Sequence, residues 1–150
     1  MPIKLAKHMS GIAGEYLVAA ELTRRGYIAS LTLRNTKDID ILASSADGTR
    51  QVAIQVKCDQ TKGSEWMLGA KAERLTSPSM YYVFVRLHDG GTPEFFVVPS
   101  AVVAEQTRTS HSDWLAKPGR RGQAHKDTTI RIFGDRQGKY RDAWDTLGLG

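Results

Sequence analysis

Between Lys37 and Cys58 the chain carries a pattern that few structures other than a β-hairpin can satisfy. One arm reads Lys37-Asp38-Ile39-Asp40-Ile41-Leu42-Ala43 and the other Gln51-Val52-Ala53-Ile54-Gln55-Val56-Lys57-Cys58. Both alternate apolar and polar residues, as strands with two unlike faces do. Asp47-Gly48 lies between them and tolerates the positive φ of a tight turn. A two-residue turn there sets Asp40 across from Gln55 and Asp38 across from Lys57. Side chains alternate along a strand, so Asp38, Asp40, Gln55 and Lys57 emerge together. Opposed Cβ atoms lie about 5 Å apart, close enough for Asp40 and Gln55 to share one cation. Ile39, Ile41, Val52, Ile54 and Val56 take the other face and press the hairpin onto a core. Folding alone does not ask for carboxylates, an amide and an ammonium on one face of such an element.

The 150 residues suffice for one domain with a sizeable core, and 1–150 is read as a single unit. The hydrophobic share of 41% and charged share of 25% exclude a disordered chain. No apolar run is long enough to span a bilayer, and the N-terminus lacks the apolar stretch of a signal peptide. A cytoplasmic protein with no membrane contact is therefore expected. Cys58 is the single cysteine, which rules out an internal disulfide and a Cys-rich zinc site. The net charge of +5 favours an anionic partner, nucleic acid among them, although many small proteins carry a few extra lysines.

The first helix is expected over Ser10–Arg25, with Ser10 as N-cap and Gly26 as stop. Ile12, Tyr16, Ala19 and Leu22 share its apolar face, and Glu15 falls within that face. A carboxylate there must snorkel out, meet a cation, or simply favour the helix dipole. Gly11 and Gly14 cost helix stability, up to about 1 kcal/mol each, but admit a close neighbour. Tyr27–Arg34 reads as a strand, Asp59–Ser64 as a loop and Glu65–Leu75 as a short helix. Met80–Leu87 has the composition of a strand buried on both faces. A turn through Asp89 leads to a strand over Glu94–Val98 and a helix from Ser100 to about Gln106. Thr107–Asp127 is polar and basic and reads as a loop, anchored by Trp114-Leu115. Thr128–Phe133 reads as a strand and Lys139–Leu147 as a closing helix striped by Tyr140, Ala143, Trp144 and Leu147.

A hard divalent cation such as Mg²⁺ or Mn²⁺ prefers oxygen ligands and takes one or two carboxylates with several waters. Asp40, the Gln55 amide oxygen and the Val56 carbonyl are candidate ligands, with Glu15 joining directly or through water. Lys57 emerges beside them, able to orient a water or neutralise charge on a phosphate. In this combination the chain resembles the PD-(D/E)XK nuclease superfamily, small archaeal Holliday junction resolvases and uncharacterised bacterial relatives in particular. Glu15 matches the helix glutamate, Asp40 the metal-binding aspartate and Lys57 the catalytic lysine. Gln55 stands where the family usually has an acid, and Ile39 where it has proline. The resemblance implies a restriction-endonuclease-like α-β-β-β-α-β core over about residues 10–100, a mixed α/β sheet flanked by helices. It implies a Mg²⁺- or Mn²⁺-dependent endonuclease acting on DNA and leaving 5′-phosphate and 3′-hydroxyl ends; a homodimer would let two sites address two strands, though the sequence itself gives no sign of one.

The basic loop over about 107–127 and the C-terminal strand and helix over 128–148 lie outside that motif. Lys117, Arg120, Arg121 and Lys126 in the loop are candidate nucleic-acid contacts, or a solvated basic surface. Asp38 either adds charge to the metal site or pairs with Lys57. His8, His88, His111 and His125 are scattered without metal-ligand spacing, although His111 and Trp114 can frame a groove. Trp66, Tyr81 and Tyr82 are candidates for stacking on bases, against a core role. Two rivals stand beside the nuclease: an inactive DNA-binding module of the same fold, favoured by Gln55, and an interaction subunit of a repair or defence system.

Overall fold

The computed structural model describes residues 3–33, 36–88 and 90–150. Arg34, at the end of the expected first strand, and Asp89, in the expected turn, lie outside the described residues.

Helix α1 spans Lys7–Arg24. At its end Gly26 takes φ +87, and the Gly26 and Tyr27 N–H groups return to the Thr23 and Leu22 carbonyls at 3.0 and 3.1 Å. This is the Schellman closure that a residue without Cβ permits. The start lies earlier than expected, with Ala6 at the N-cap. Ser10 is instead buried inside the helix, its hydroxyl donating to the Lys7 carbonyl at 2.9 Å. The buried stripe is Ser10, Gly14, Val18 and Leu22, and Tyr16 is 60% exposed. Gly14 accounts for the difference: a Cβ built there would stand 2.6 Å from the Cβ of Cys58. The helix approaches the sheet along its smallest residues, which a hydrophobicity wheel does not favour.

Strands β1 (Ile28–Leu31), β2 (Ile41–Ser44) and β3 (Gln51–Asp59) form an antiparallel meander. Ile41 pairs with Ile54 and Ser44 with Gln51, the register that the turn residues imply. The connection is longer than a two-residue turn. Ser45 N–H donates to the Arg50 carbonyl and Gly48 N–H to the Ser45 carbonyl, each at 2.9 Å, and Gly48 alone takes positive φ in this loop. The Asp47 carboxylate accepts from the Ser45 hydroxyl and from the Thr49 N–H and hydroxyl, which lowers its pKa to about 2.

After β3 the expected helix over Glu65–Leu75 is replaced by β4 (Glu65–Gly69) and a 3-10 turn at Ala70–Glu73. Trp66 and Leu68 are buried while Met67 is exposed, a period of two rather than 3.6. The partner that holds β4 extended is β7 (Ile130–Gly134), far along the chain and antiparallel to it. Strand β5 (Met80–Arg86) then runs parallel to β3, and β6 (Glu94–Pro99) antiparallel to β5, completing a five-stranded sheet of order β1-β2-β3-β5-β6. The chain thus has a mixed α/β fold with a five-stranded mixed sheet and two helices.

Helix α2 runs from Ser100 to Ala116, well past Gln106. The segment Thr107–Ala116 is helical rather than loop, and α2 is seated on β7 by polar contacts at Gln106 and Ser110. Gln106 exchanges two hydrogen bonds with the Gly134 backbone at 2.7 and 2.9 Å, and the Ser110 hydroxyl reaches the Ile132 carbonyl at 3.4 Å. The expected closing helix is absent as such: Val97 N–H bonds the Tyr140 carbonyl and Asp142 N–H bonds the Phe95 carbonyl, so the chain first runs beside β6. Only Trp144–Leu147 coils, as a 3-10 turn.

Two apolar layers sandwich the sheet. Val18 and Leu22 of α1 pack with Ile54, Val83, Trp144 and Leu147 on one face. Trp66, Phe133 and Val103 pack with Tyr82 and Phe84 on the other, where the Phe84 and Phe133 rings stack at 4.6 Å. Among the described residues no helix is long and apolar enough to cross a membrane.

Candidate active site

Asp40 stands where β2 parts from β3. Its carbonyl still accepts from Thr32 N–H at 3.0 Å, which keeps it beside β1. Its own N–H donates to the Ile54 carbonyl at 2.9 Å, one position short of Gln55, so the regular ladder ends at the Ile41–Ile54 pair. The Asp40 carboxylate then accepts the Val56 N–H at 2.7 Å. A side-chain oxygen satisfies a donor that a continued ladder would have given to a main-chain carbonyl. Asp40 is therefore not directly opposite Gln55, as the hairpin pattern predicts, but is tied to the next residue of β3. A short carboxylate is the group that fits this break.

The expected pairing of Asp38 with Lys57 is not formed. Asp38 takes φ +66 and leaves the strand path, and its carboxylate pairs with Lys71 of the 3-10 turn. Thr32 fills part of the gap, its hydroxyl donating to the Ile39 carbonyl at 2.6 Å.

Glu15 faces inward. It is half-buried and lines a cleft of about 240 Å³ together with Asp40, Gly11, Ile12, Thr32 and Thr36. The close seating of α1 at Gly14 sets the depth of the adjacent glutamate. Gly11 has no heavy atom within 4 Å of a built Cβ, so its small size leaves the cleft open. His8 also borders the cleft, at the exposed first turn of α1.

Gln55 and Lys57 leave β3 on the face that carries Tyr82 and Phe84 of β5, their register partners. Gln55 is 8% exposed. Burial pushes the Lys57 ammonium below the usual lysine range; Asp40 and Asp38 act against that shift, and Lys71 and Lys7 add to it. Burial likewise raises the Tyr82 hydroxyl to about 12, with Asp38 adding to the effect.

Among the described residues no three His, Cys, Asp or Glu side chains cluster as metal ligands. The oxygen donors are two carboxylates, Asp40 and Glu15, and the Gln55 amide, with Val56 tied in through its N–H. That set fits a hard divalent ion that keeps much of its water and does not fit a soft or thiolate-seeking one. Cys58 lies on the opposite face of β3 against Gly14, and burial with nearby Asp59 raises its thiol to about 11. It packs as a small core residue.

Lys117, Arg120, Arg121 and Lys126 are all exposed and lie beyond α2. Their loop folds back on the helix: His125 stacks on Trp114 at 4.2 Å and bonds its carbonyl at 2.7 Å, and His111 pairs with Asp127 at 2.8 Å. His111 and Trp114 do frame a groove, a cavity of about 700 Å³ against β7, but Glu15, Asp40, Gln55 and Lys57 are not part of its wall. Trp66 is 2% exposed and cannot stack on a base; it carries the Arg86 guanidinium over its ring at 4.4 Å. Thr32, Thr36 and Lys71 reach the site without having been legible as site residues, because each arrives from an irregular segment.

Compared with solved structures, the chain matches a bacterial homing endonuclease with a TM-score of 0.57 and 15% sequence identity, over 98% of this chain and 95% of that one. The chain shares the fold of that endonuclease. A second match is the Holliday junction resolvase Hjc of Archaeoglobus fulgidus, with a TM-score of 0.47 and 16% identity over 83% of this chain and 84% of that one. No protein-family model matches the sequence, and no curated protein does.

Proposed function

We propose that the chain is a divalent-metal-dependent endonuclease that hydrolyses DNA phosphodiester bonds. The observation that carries this reading is the convergence of Glu15, from α1, and Asp40, from the head of β2, on one cleft. Asp40, the Gln55 amide and Glu15 would hold Mg²⁺ or Mn²⁺, with the Val56 carbonyl as a further donor. A bound ion of this kind supplies Lewis acidity to a phosphoryl oxygen and acidifies water. Asp40 keeps its place through the Val56 N–H. Lys57, partly desolvated beside Asp40, orients the attacking water and places positive charge next to the phosphate as negative charge develops. Lys117, Arg120, Arg121 and Lys126 contact more distant backbone phosphates. A branched substrate of the Holliday junction type, and a two-fold pair of chains addressing two strands, extend the same reading.

One feature favours a second reading, a DNA-binding module without activity: Gln55 is neutral, and the site holds one negative charge fewer than two acids and a third would supply. Nicking of supercoiled plasmid with Mg²⁺ or Mn²⁺ decides between them. Wild type is expected to nick with either ion and not in EDTA, and Asp40→Ala and Lys57→Ala to lower the rate by about 100-fold or more. Gln55→Glu is expected to lower the metal concentration for half-maximal rate. DNA binding without nicking in wild type selects the binding module. Loss of salt-sensitive DNA binding altogether selects the interaction subunit.

A further inference from the structure

Lys71 and Asp38 form an ion pair that neither apolar layer requires. Lys71 sits on the 3-10 turn after β4, and its Nζ donates to the Asp38 carboxylate. The Lys71 side chain is 61% exposed and that of Asp38 22%. An ion pair this open contributes little to folding. Asp38 nonetheless holds φ +66, which side chains seldom adopt and which aspartate tolerates better than most. It lies two positions before Asp40, and both it and Lys71 act electrostatically on Lys57. Two ammonium groups therefore act on each other, one of them paired with Asp38, and the Asp38 and Asp40 carboxylates act on Lys57 as well. A phosphodiester is an anion that both ammonium groups can share, and only Lys71 among these four has a long, exposed side chain free to swing.

We propose that Lys71 is a substrate-phosphate contact, parked on Asp38 in the free protein and handed to a backbone phosphate when nucleic acid enters beside Lys57. This rests on the phosphodiesterase reading above. The exchange breaks one ion pair and makes another, and frees the Asp38 carboxylate. Asp38 thereby acts as an internal competitor for the phosphate, tuning affinity rather than holding metal.

The test is fluorescence anisotropy of a labelled DNA duplex in EDTA across a salt series, with plasmid nicking in Mg²⁺ or Mn²⁺ alongside. Lys71→Met is expected to weaken binding about 3–10-fold near 0.1 M salt and to reduce the slope of log K against log salt by about 0.9, the signature of one lost phosphate contact. Lys71→Arg keeps both values. Asp38→Asn tightens binding by about 3-fold or more, and Asp38→Asn combined with Lys71→Met behaves as Lys71→Met alone. Lys71→Met with wild-type affinity and slope overturns the proposal, as does weaker binding by Asp38→Asn. If Lys71→Met does not fold, the Asp38→Asn result decides. Wild type that nicks while Lys71→Met binds normally removes this proposal and leaves the nuclease reading. Wild type that binds but does not nick removes the nuclease reading, and the salt slopes then decide the role of Lys71. Wild type without salt-sensitive binding removes both.

Discussion

Asp40 accomplishes two things with one side chain. It terminates the β2–β3 ladder by accepting the Val56 N–H, and it presents a carboxylate to the cleft shared with Glu15. An asparagine at 40 can still accept that hydrogen bond but carries no charge, so Asp40→Asn separates the structural task from the chemical one. Cys58 shows how the two faces of β3 differ. Lys57 faces the polar site, whereas Cys58, the next residue, packs under Gly14 with its thiol raised from 9.0 to about 11. At pH 8 its thiolate fraction is about a hundredfold below that of an ordinary cysteine. Iodoacetamide labelling followed by mass spectrometry should be slow in the native protein and rapid in denaturant. The linkage has a definite sign. The folded thiol keeps its proton to higher pH than the unfolded one, so its contribution to stability is complete below about pH 9 and lost as pH rises through about 11.

At the scale of elements, α1 and the central hairpin are positioned by a single small residue. A methyl group at Gly14 would meet the Cys58 Cβ at 2.6 Å and its sulfur at 3.1 Å. Gly14→Ala is expected to cost about 1–3 kcal/mol through this overpacking. Because Glu15 is the next residue, nicking should fall by more than the loss of folded protein explains. Gly11→Ala is the control. Its Cβ meets nothing within 4 Å, so the substitution should stabilise the helix by up to about 1 kcal/mol. Urea denaturation of the two variants reads both signs. The ribbon of β4 and β7 plays a comparable role on the other face: it supplies Trp66 and Phe133 to the core and delivers the turn that carries Lys71.

For the molecule as a whole, charge is distributed so that the basic loop and the cleft come from different segments. The loop is tethered to α2 through His125 on Trp114 and His111 on Asp127, which leaves its cations exposed. Arg120→Ala together with Arg121→Ala should lower the salt slope of DNA binding by roughly 1.8 without changing the metal dependence of nicking. Anisotropy and nicking measured on the same variant separate affinity from chemistry.

Local periodicity and turn chemistry were enough to read the hairpin register, the doubly buried β5, the Gly26 helix stop and the inward Glu15. Each depends on residues close in sequence, where alternation or a missing Cβ restricts the backbone directly. Glu65–Gly69 could not be read in that way, since its extended form is held by β7, paired from a distant part of the chain. The path beside β6 at Tyr140–Asp142 likewise depends on hydrogen bonds to a partner remote in sequence, and α2 gains contacts to distant β7 through Gln106 and Ser110. So the identities of Glu15, Asp40, Gln55 and Lys57 are a property of the sequence. That Asp40 breaks the ladder, that Asp38 turns to Lys71, and that a cleft opens beside Glu15 were decided only when distant backbone groups found one another.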